Sequence, residues 1–273
     1  MSESPSSPNS SLPSSDYTRE YYESCCQGHQ EFHSSLGQKL PLRLEIPLRI
    51  ANVRPGKKVI DIGCGRGETV LHCAQKEAFV WGIDYARDAV KIAADNLNII
   101  ASPKIQNRFA IQQANACQLP FMKNSADIIF MLDIVEHLYP PELNEALDEA
   151  WRILKPGGLL IVHTMPNLWY YRLGYPIYRW LQHVRGQDLP TNPRERWRFS
   201  HVHVNEQTPL KIKKVLQNRR FKTRVWLEST QIYDYERNPL VRWGMIILTS
   251  IFPFKLIFCN DIFAIGTKSL PHG

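Results

Sequence analysis

The sequence predicts an α/β fold in which helices cover both faces of a mostly parallel sheet. The apolar run 59–62 ends in a cluster of glycines, and a helix-like segment follows at once, as in a strand–turn–helix unit. A second strand-like run, 78–83, ends at an acid, Asp84. The nearly continuous apolar run 126–132 suits a central parallel strand that is buried on both faces.

The remaining elements follow from the spacing of apolar residues and from turn signals. Helices are predicted over 40–53, 68–76, 87–100, 141–154 and 210–218. Further strands are predicted over 108–113, 159–164, 222–228 and 260–267, and Lys155–Gly158 is predicted as a turn into the fifth strand. The last strand is expected to run antiparallel beside the sixth.

Length and composition indicate one domain with insertions. The 273 residues can bury a sizeable core, and one α/β domain fits them better than two. We expect a disordered Ser/Pro-rich tail over residues 1–16 and a single domain over 17–273, with insertions at 166–200 and 230–258. The tail lacks the apolar region of a signal peptide, and the six cysteines show no C-x-x-C pair. We therefore expect reduced thiols in a cytoplasmic protein.

The net charge of +7 does not identify a partner. It permits affinity for nucleic acid, for anionic lipid or for acidic small molecules. No nucleic-acid-binding motif accompanies the charge, so we expect no nucleic-acid partner. The oligomeric state stays open.

The glycine-rich turn after the first strand is predicted to hold a ligand closely. Gly63, Gly65 and Gly67 permit backbone angles that other residues avoid, and they carry no Cβ to collide with a ligand. Their spacing, G-x-G-x-G, departs from the G-x-G-x-x-G of dinucleotide-binding turns. Asp61, inside the preceding strand, suits an ammonium group. Asp84 follows at the distance at which a βαβ unit places an acid against a ribose.

These features resemble motif I of the class I S-adenosylmethionine-dependent methyltransferases. Two later stretches agree: residues 115–121 (NACQLPF) resemble that family's D-A-x-x-L-P-F stretch, and residues 155–158 (KPGG) belong to its L-K-P-G-G-x-L signature. The resemblance covers about residues 56–165. It implies a Rossmann-like fold with seven strands and an antiparallel last strand, and S-adenosylmethionine as the cofactor.

The resemblance also implies which residues surround the cofactor. They are Asp61, Gly63, Cys64, Gly65, Gly67, Asp84, Tyr85, Asn115, Ala116 and Leu132. In the family, the glycine loop holds the amino acid end of the cofactor and the later acid accepts hydrogen bonds from both ribose hydroxyls. Asn115 stands where the family has an aspartate that accepts from the adenine amino group, and its carbonyl oxygen can do the same more weakly.

His137 and Glu136 are the candidate catalytic residues. They follow the fourth strand, so they lie at the carboxyl end of the sheet, where open α/β folds bind ligands. An imidazole titrates near working pH, so His137 suits a general base for an acceptor oxygen that must lose a proton. Glu136 could orient His137 or cap the next helix. A purely structural role for both residues stays open.

Two stretches raise the question of a bound metal, and we predict none. Residues 133–138 (DIVEHL) resemble the E-V-x-E-H-V stretch of the ubiquinone-pathway O-methyltransferases, in which two acids and the histidine bind magnesium. Many relatives carry the E-H pair without a metal. His201 and His203 would share one face of an extended chain, but no third ligand lies near them in the sequence.

The acceptor side is predicted from three aromatic or apolar stretches. Residues 16–32 either pack as an amphipathic helix or form a lid whose tyrosines stabilise the sulfonium. The insertion 166–200 either covers the acceptor or is a structural hairpin. The run 240–258 is too short and broken to cross a bilayer. It either packs as core against the sheet or a partner subunit, or forms a surface that makes peripheral contact with a membrane. In the second case the acceptor is lipid-like.

We therefore predict a methyltransferase that acts on a small-molecule acceptor, with O-methylation favoured. A dinucleotide-dependent oxidoreductase or epimerase is disfavoured by the glycine spacing. An inactive cofactor-binding module is disfavoured by the intact glycines and acids. A methyltransferase of RNA or protein is the remaining alternative, although Asp133–Glu136 stands where such an RNA enzyme carries a proline-tyrosine tetrapeptide.

Overall fold

The computed structural model of the protein describes residues 11–270, apart from 232, 234, 235 and 237. Within these residues seven strands form one sheet, in the order β3-β2-β1-β4-β5-β7-β6. The strands are β1 (Lys58–Ile62), β2 (Phe79–Asp84), β3 (Phe109–Gln113), β4 (Ala126–Leu132), β5 (Leu154–Thr164), β6 (Lys222–Leu227) and β7 (Ile262–Thr267). The first five are parallel, and β7 lies antiparallel between β5 and β6. The predicted Rossmann-like α/β fold with an antiparallel last strand is confirmed.

Helices cover both faces of the sheet. They are α1 (His29–Ser35), α2 (Leu42–Ala51), α3 (Glu68–Gln75), α4 (Arg87–Ile100), α5 (Pro140–Ile153), α6 (Tyr175–Val184), α7 (Pro209–Asn218), α8 (Pro239–Ser250) and α9 (Lys255–Phe258). Apolar residues of α2, α3 and α4 pack in one core cluster, and those of α5 and α7 pack in another. The sheet therefore separates two hydrophobic cores.

The central strand β4 shows why its sequence is almost uninterruptedly apolar. Ile128 and Phe130 belong to one core, whereas Ile129 and Met131 belong to the other. Successive side chains of a strand point to opposite faces, so a strand covered on both sides needs apolar residues throughout. The predicted span 126–132 matches the observed β4.

The fifth strand differs from its prediction. It begins at Leu154, and Lys155–Gly158, which was predicted as a turn ahead of the strand, lies within it. Leu154 pairs with Ala126 and Leu159 pairs with Ile128, so residues 155–158 bulge out of the register. The Nζ of Lys155 reaches the carboxylate of Asp127 at 2.9 Å, which fixes the bulge against β4.

The two insertions contact each other. Residues 170–174 form a π-helical turn that leads into α6, and α8 and α9 occupy the second insertion. Gly174 permits the contact, because a Cβ there would lie 2.1 Å from the carbonyl oxygen of Ile257 in α9. No helix in the described part of the chain is both long enough and apolar enough to cross a membrane.

The predicted tail over residues 1–16 is described only in part. Residues 1–10 lie outside the described residues, and Ser14–Asp16 forms a 3₁₀ turn.

Gly82 of β2 offers a test of the packing between the sheet and α3. A Cβ there would lie 2.6 Å from Cδ1 of Ile111 and 2.8 Å from Cγ2 of Val70. We expect Gly82→Ala to lower the free energy of unfolding by about 1–3 kcal/mol, as overpacking does. The control Gly244→Ala in α8, where a Cβ meets nothing within 4 Å, should instead raise it by roughly 0.5–1 kcal/mol. Urea denaturation measures both, and unchanged stability of Gly82→Ala would contradict the close packing.

Candidate functional site

A cavity of about 140 Å³ lies at the carboxyl ends of β1, β2 and β4, the edge at which open α/β sheets bind ligands. All but one of the predicted cofactor-site residues line it: Asp61, Gly63, Cys64, Gly65, Asp84, Tyr85, Asn115, Ala116 and Leu132. Gly67 does not. A Cβ on Gly67 would lie 3.2 Å from Cβ of Ala93, so this glycine lets α4 pack closely against the start of α3.

The glycine loop forms the strand–turn–helix unit that the sequence predicts. Gly63, Gly65 and Gly67 have φ angles of 76°, 51° and 85°, in the left-handed region that favours glycine. A Cβ on Gly63 would lie 3.1 Å from the side chain of Ile134. The loop can therefore approach both the cavity and the end of β4.

Asp84 is held by the loop that it faces. Its Oδ2 accepts a hydrogen bond from the Gly65 amide at 3.1 Å, and its Oδ1 accepts one from the Ala86 amide at 2.9 Å. Burial raises the pKa of Asp84 to about 6, although these amides oppose the shift. Each carboxylate oxygen retains a lone pair, so the group can still accept hydrogen bonds from two hydroxyls.

Asp61 is a buried acid that lacks a partner. It is 2% exposed, and within the described residues no hydrogen-bond donor or cation contacts its carboxyl. Burial, followed by repulsion from Glu68 and Asp84, raises its pKa to about 8. A buried carboxylate needs a cationic or hydrogen-bonding partner. The ammonium of an amino acid would supply that partner, which fits the amino acid end of S-adenosylmethionine.

Asn115 is partly engaged by its own turn. Its Oδ1 accepts a hydrogen bond from the Cys117 amide at 2.9 Å. One lone pair of this oxygen remains for an adenine amino group.

The N-terminal segment covers the cavity. Tyr17, Tyr21 and Tyr22 line it, and Tyr17 and Tyr22 are buried. The Nη1 of Arg66, from the glycine loop, donates to the Tyr22 carbonyl oxygen at 2.9 Å, and Arg66 also pairs with Glu68 at 2.8 Å. We refer to residues 17–28 as the lid. Its tyrosines face the cavity, and Tyr17, Tyr22 and Phe32 are also buried in a hydrophobic cluster, so the segment 16–32 both packs on the core and lines the cavity.

A second cavity of about 100 Å³ adjoins the first. The insertion 166–200 supplies much of its wall, which is mainly apolar and aromatic: Pro166, Tyr171, Trp197 and Phe199. Four residues line both cavities: Tyr21, Cys26, Asp133 and His137. The two spaces are therefore separated by a wall of side chains.

His137 lies in this shared wall, and its ring is neutral. Its Nδ1 lies 3.1 Å from the Val202 carbonyl oxygen and 3.0 Å from the Tyr17 hydroxyl. Because a carbonyl only accepts, Nδ1 carries the proton and Nε2 keeps its lone pair. Burial, and then the nearby His203, lower the pKa of His137 to about 3. The expectation that it titrates near working pH is therefore wrong for this environment.

Glu136 is tied to the end of β5. It is 1% exposed, and its carboxylate accepts a hydrogen bond from Thr164 Oγ1 at 2.7 Å. Burial, followed by repulsion from Asp133, raises its pKa to about 8. Neither predicted role is observed. Val202 rather than Glu136 orients His137, and Glu142 rather than Glu136 caps α5, through the Tyr139 amide at 2.8 Å.

Asp133 is the centre of a buried network of charges. It pairs with Arg43 of α2 and with Nδ1 of His163 in β5, and Nε2 of His163 lies 3.2 Å from Asp261. Burial opposes the charged form of His163, but Asp133 and then Asp261 outweigh it and raise its pKa to about 10, which favours the charged ring at neutral pH. The adjacent Arg43 and His163 lower the pKa of Asp133 well below its ordinary value.

The carboxylate of Asp133 is engaged by these cations, so the magnesium set considered from the sequence, with Asp133 beside Glu136 and His137, is not assembled. Glu136, His137 and His203 do converge, with ligand atoms within 4.8 Å of one another. His201 points elsewhere, with its Nε2 3.8 Å from Asp16. Among the described residues, Glu136, His137 and His203 are the group that could hold a metal ion.

Residues 60–162 match a known family, that of the methyltransferase domain. The methyltransferase GfsG of Streptomyces halstedii is 31% identical over 112 residues, which cover 41% of this chain and 38% of that protein. The 27-O-demethylrifamycin SV methyltransferase of Amycolatopsis mediterranei is 30% identical over 109 residues, which cover 40% and 38%. The chain thus spans about two fifths of the length of these curated relatives.

A solved structure agrees over a longer stretch. The S-adenosylmethionine-dependent methyltransferase from Archaeoglobus fulgidus covers 88% of this chain and 100% of its own, with a TM-score of 0.55 at 19% identity. At this identity the likeness shows the fold. The family match, the shared fold and the unpartnered Asp61 together identify S-adenosylmethionine as the cofactor. Residues 60–162 are therefore a methyltransferase domain, and the resemblance to the class I S-adenosylmethionine-dependent methyltransferases is confirmed.

Proposed function

We propose that this protein transfers a methyl group from S-adenosylmethionine to an oxygen of a small, apolar acceptor. The observation that carries the proposal is the pair of adjoining cavities with His137 in their shared wall. Methyl transfer is an in-line displacement that needs the nucleophile behind the methyl group, so holding the two reactants in line supplies much of the acceleration.

The first cavity suits the cofactor, which supplies an electrophilic methyl group when it is bound. Asp61 would accept the ammonium, Asp84 the two ribose hydroxyls and Asn115 the adenine amino group, while the glycine loop approaches the amino acid end. Tyr17, Tyr21 and Tyr22 present aromatic groups to the same cavity, and aromatic faces stabilise a cation in contact with them.

The second cavity suits the acceptor. Its wall from the first insertion is aromatic and apolar, so it favours an acceptor with an apolar body. The name of the rifamycin relative describes an acceptor oxygen on a small molecule. These two observations support O-methylation of a lipophilic small molecule over methylation of RNA or protein.

His137 would act on the acceptor hydroxyl. Its Nε2 lone pair can accept a hydrogen bond from the hydroxyl and take its proton as the oxygen is methylated. Its lowered pKa makes it a weak base, so orientation of the oxygen is the larger part of its contribution. Glu136, whose raised pKa favours the protonated form, would hold the end of β5 beside the cavity.

The function is tested with S-adenosylmethionine that carries a labelled methyl group. The protein is incubated with aqueous and lipid extracts of cells, and labelled products are identified by mass spectrometry. Label in a small molecule with a new O-methyl group is expected, and the Asp84→Ala variant should give much less of it at low cofactor concentration. Label only in RNA or protein fractions would contradict the proposal.

Asp84 should contribute strongly to cofactor affinity. We expect Asp84→Ala to weaken the binding of S-adenosylhomocysteine by about 1.5–3 kcal/mol, as for hydrogen bonds to a charged group. Isothermal titration calorimetry measures the change. Asp95→Ala, which removes an exposed acid of α4, is the control and should bind as the wild type does. Equal affinity of the Asp84→Ala and control variants would be inconsistent with the ribose role.

Asp61 should make cofactor binding depend on pH. Without a cationic partner this carboxyl has a pKa raised from the ordinary 3.8 to about 8, and a bound ammonium favours the ionised form. Binding of S-adenosylhomocysteine at pH 7 should therefore release a proton, and affinity should rise as the pH rises from 6 to 8. Calorimetry in buffers of different ionisation enthalpy measures how many protons are released when S-adenosylhomocysteine binds. Asp61→Asn should abolish the release; a release that persists would assign it to another group.

His137 should affect catalysis rather than cofactor binding. With the acceptor found above, we expect His137→Ala to lower kcat on the order of 10²-fold, the lower end for a general base, with S-adenosylhomocysteine affinity nearly unchanged. Tyr17→Phe keeps the ring beside His137 and removes only the hydroxyl, so it should lose much less. Because the pKa is far below working pH, kcat should not fall between pH 8 and pH 5 through this residue. Full activity of His137→Ala would leave it a structural role.

A further inference from the structure

Helix α6, with the turn before it, presents an apolar stripe to solvent. Its large apolar side chains recur at helical spacing, and each is between 43% and 67% exposed: Leu173, Ile177, Trp180, Leu181 and Val184. The buried residues of this stretch include a glutamine, Gln182. A surface helix ordinarily turns its apolar stripe towards the core. This orientation indicates that an apolar medium or partner lies outside.

The second insertion has the same feature. In and after α8, large apolar side chains that are 44% to 81% exposed follow one another: Leu240, Trp243, Ile247, Ile251, Phe252 and Phe254. The buried residue within α8 is a threonine, Thr249. The expectation that residues 240–258 pack against the sheet is therefore wrong for these side chains. The two stripes belong to insertions that are joined where Gly174 meets Ile257.

Basic residues predominate beside the stripes, although Asp188 pairs with His183 of α6 at 2.7 Å and Glu236 pairs with Arg185 at 2.9 Å. Residues 168–187 and 238–260 contain no acid, and their basic residues are Arg172, Arg179, Arg185, Arg242 and Lys255. A second copy of the chain seated on this surface would bring like charges together. Anionic lipid headgroups complement them, and helices with Trp and Leu on one face and basic residues beside it bind in the headgroup region.

We propose that the two stripes form one surface that docks this protein on an anionic lipid membrane, with α6 and α8 lying in the plane of the interface. The surface adjoins the second cavity, since Tyr171 lines that cavity and Leu173, two residues on, belongs to the α6 stripe. An acceptor dissolved in the lipid would enter the cavity without crossing water. This route rests on the proposed function, whereas docking itself does not.

Flotation of the full-length protein with vesicles tests the docking. The vesicles consist of phosphatidylcholine alone or of phosphatidylcholine with phosphatidylglycerol, at low and at high salt. We expect binding to the anionic vesicles that weakens, without vanishing, at high salt, because apolar burial remains. Trp180→Asp with Leu181→Asp on α6, and Trp243→Asp with Ile247→Asp on α8, should each lower the vesicle affinity about tenfold or more.

Matched controls introduce aspartate at exposed apolar residues outside the two stripes. Ile99→Asp and Met122→Asp replace apolar side chains that are 72% and 80% exposed outside the stripes, and they should float as the wild type does. All variants should bind S-adenosylhomocysteine normally, which separates failure of docking from failure of the cofactor assignment.

Three outcomes would overturn the proposal. The wild type could fail to float with either vesicle, or both stripe variants could float as well as the controls. A dimer in solution, without vesicles, that the stripe substitutions dissociate would assign the surface to a second copy of the chain.

Discussion

The partly buried carboxylate of Asp133 is the constraint on which the site depends. It follows β4 with a φ of 55° and lies between Arg43 of α2 and His163 of β5, and His163 continues to Asp261 just before β7. Positive and negative charges alternate along this series of four side chains, so the charge of each group is compensated by its neighbours. Loss of one partner would leave a buried charge unpaired, at a cost on the order of 3–5 kcal/mol. Through Arg43, which donates to the Gln27 carbonyl, the same network reaches the lid.

Local patterns in the sequence were sufficient for the fold and for most of the cofactor cavity. A strand that is buried on both faces requires an unbroken apolar run such as 126–132. A tight turn that a ligand approaches closely requires glycines such as Gly63 and Gly65. In both cases the structural requirement and the sequence pattern that reveals it lie in the same few residues. The bulge at 155–158 escaped prediction because it depends on the register with β4, which the strand itself does not encode.

The shared wall of the two cavities depends on contacts that no local sequence pattern records. Tyr17 meets His137 across 120 positions, and the group that fixes the ring is a backbone carbonyl, that of Val202, which any residue type provides. Arg43 looks like an ordinary charged position of an amphipathic helix, although it is 4% exposed. The neutral state of His137 follows from burial and from His203, so residue type alone gave the wrong pKa.

The lid is fastened at several points. The Arg66 guanidinium holds the Tyr22 carbonyl, Arg43 holds the Gln27 carbonyl, and the Arg19 amide donates to Asp88 of α4 at 2.8 Å. The lid can move away from the cavity only when these bonds open. Under the proposed function, opening of this segment would contribute to the rate at which the cofactor exchanges.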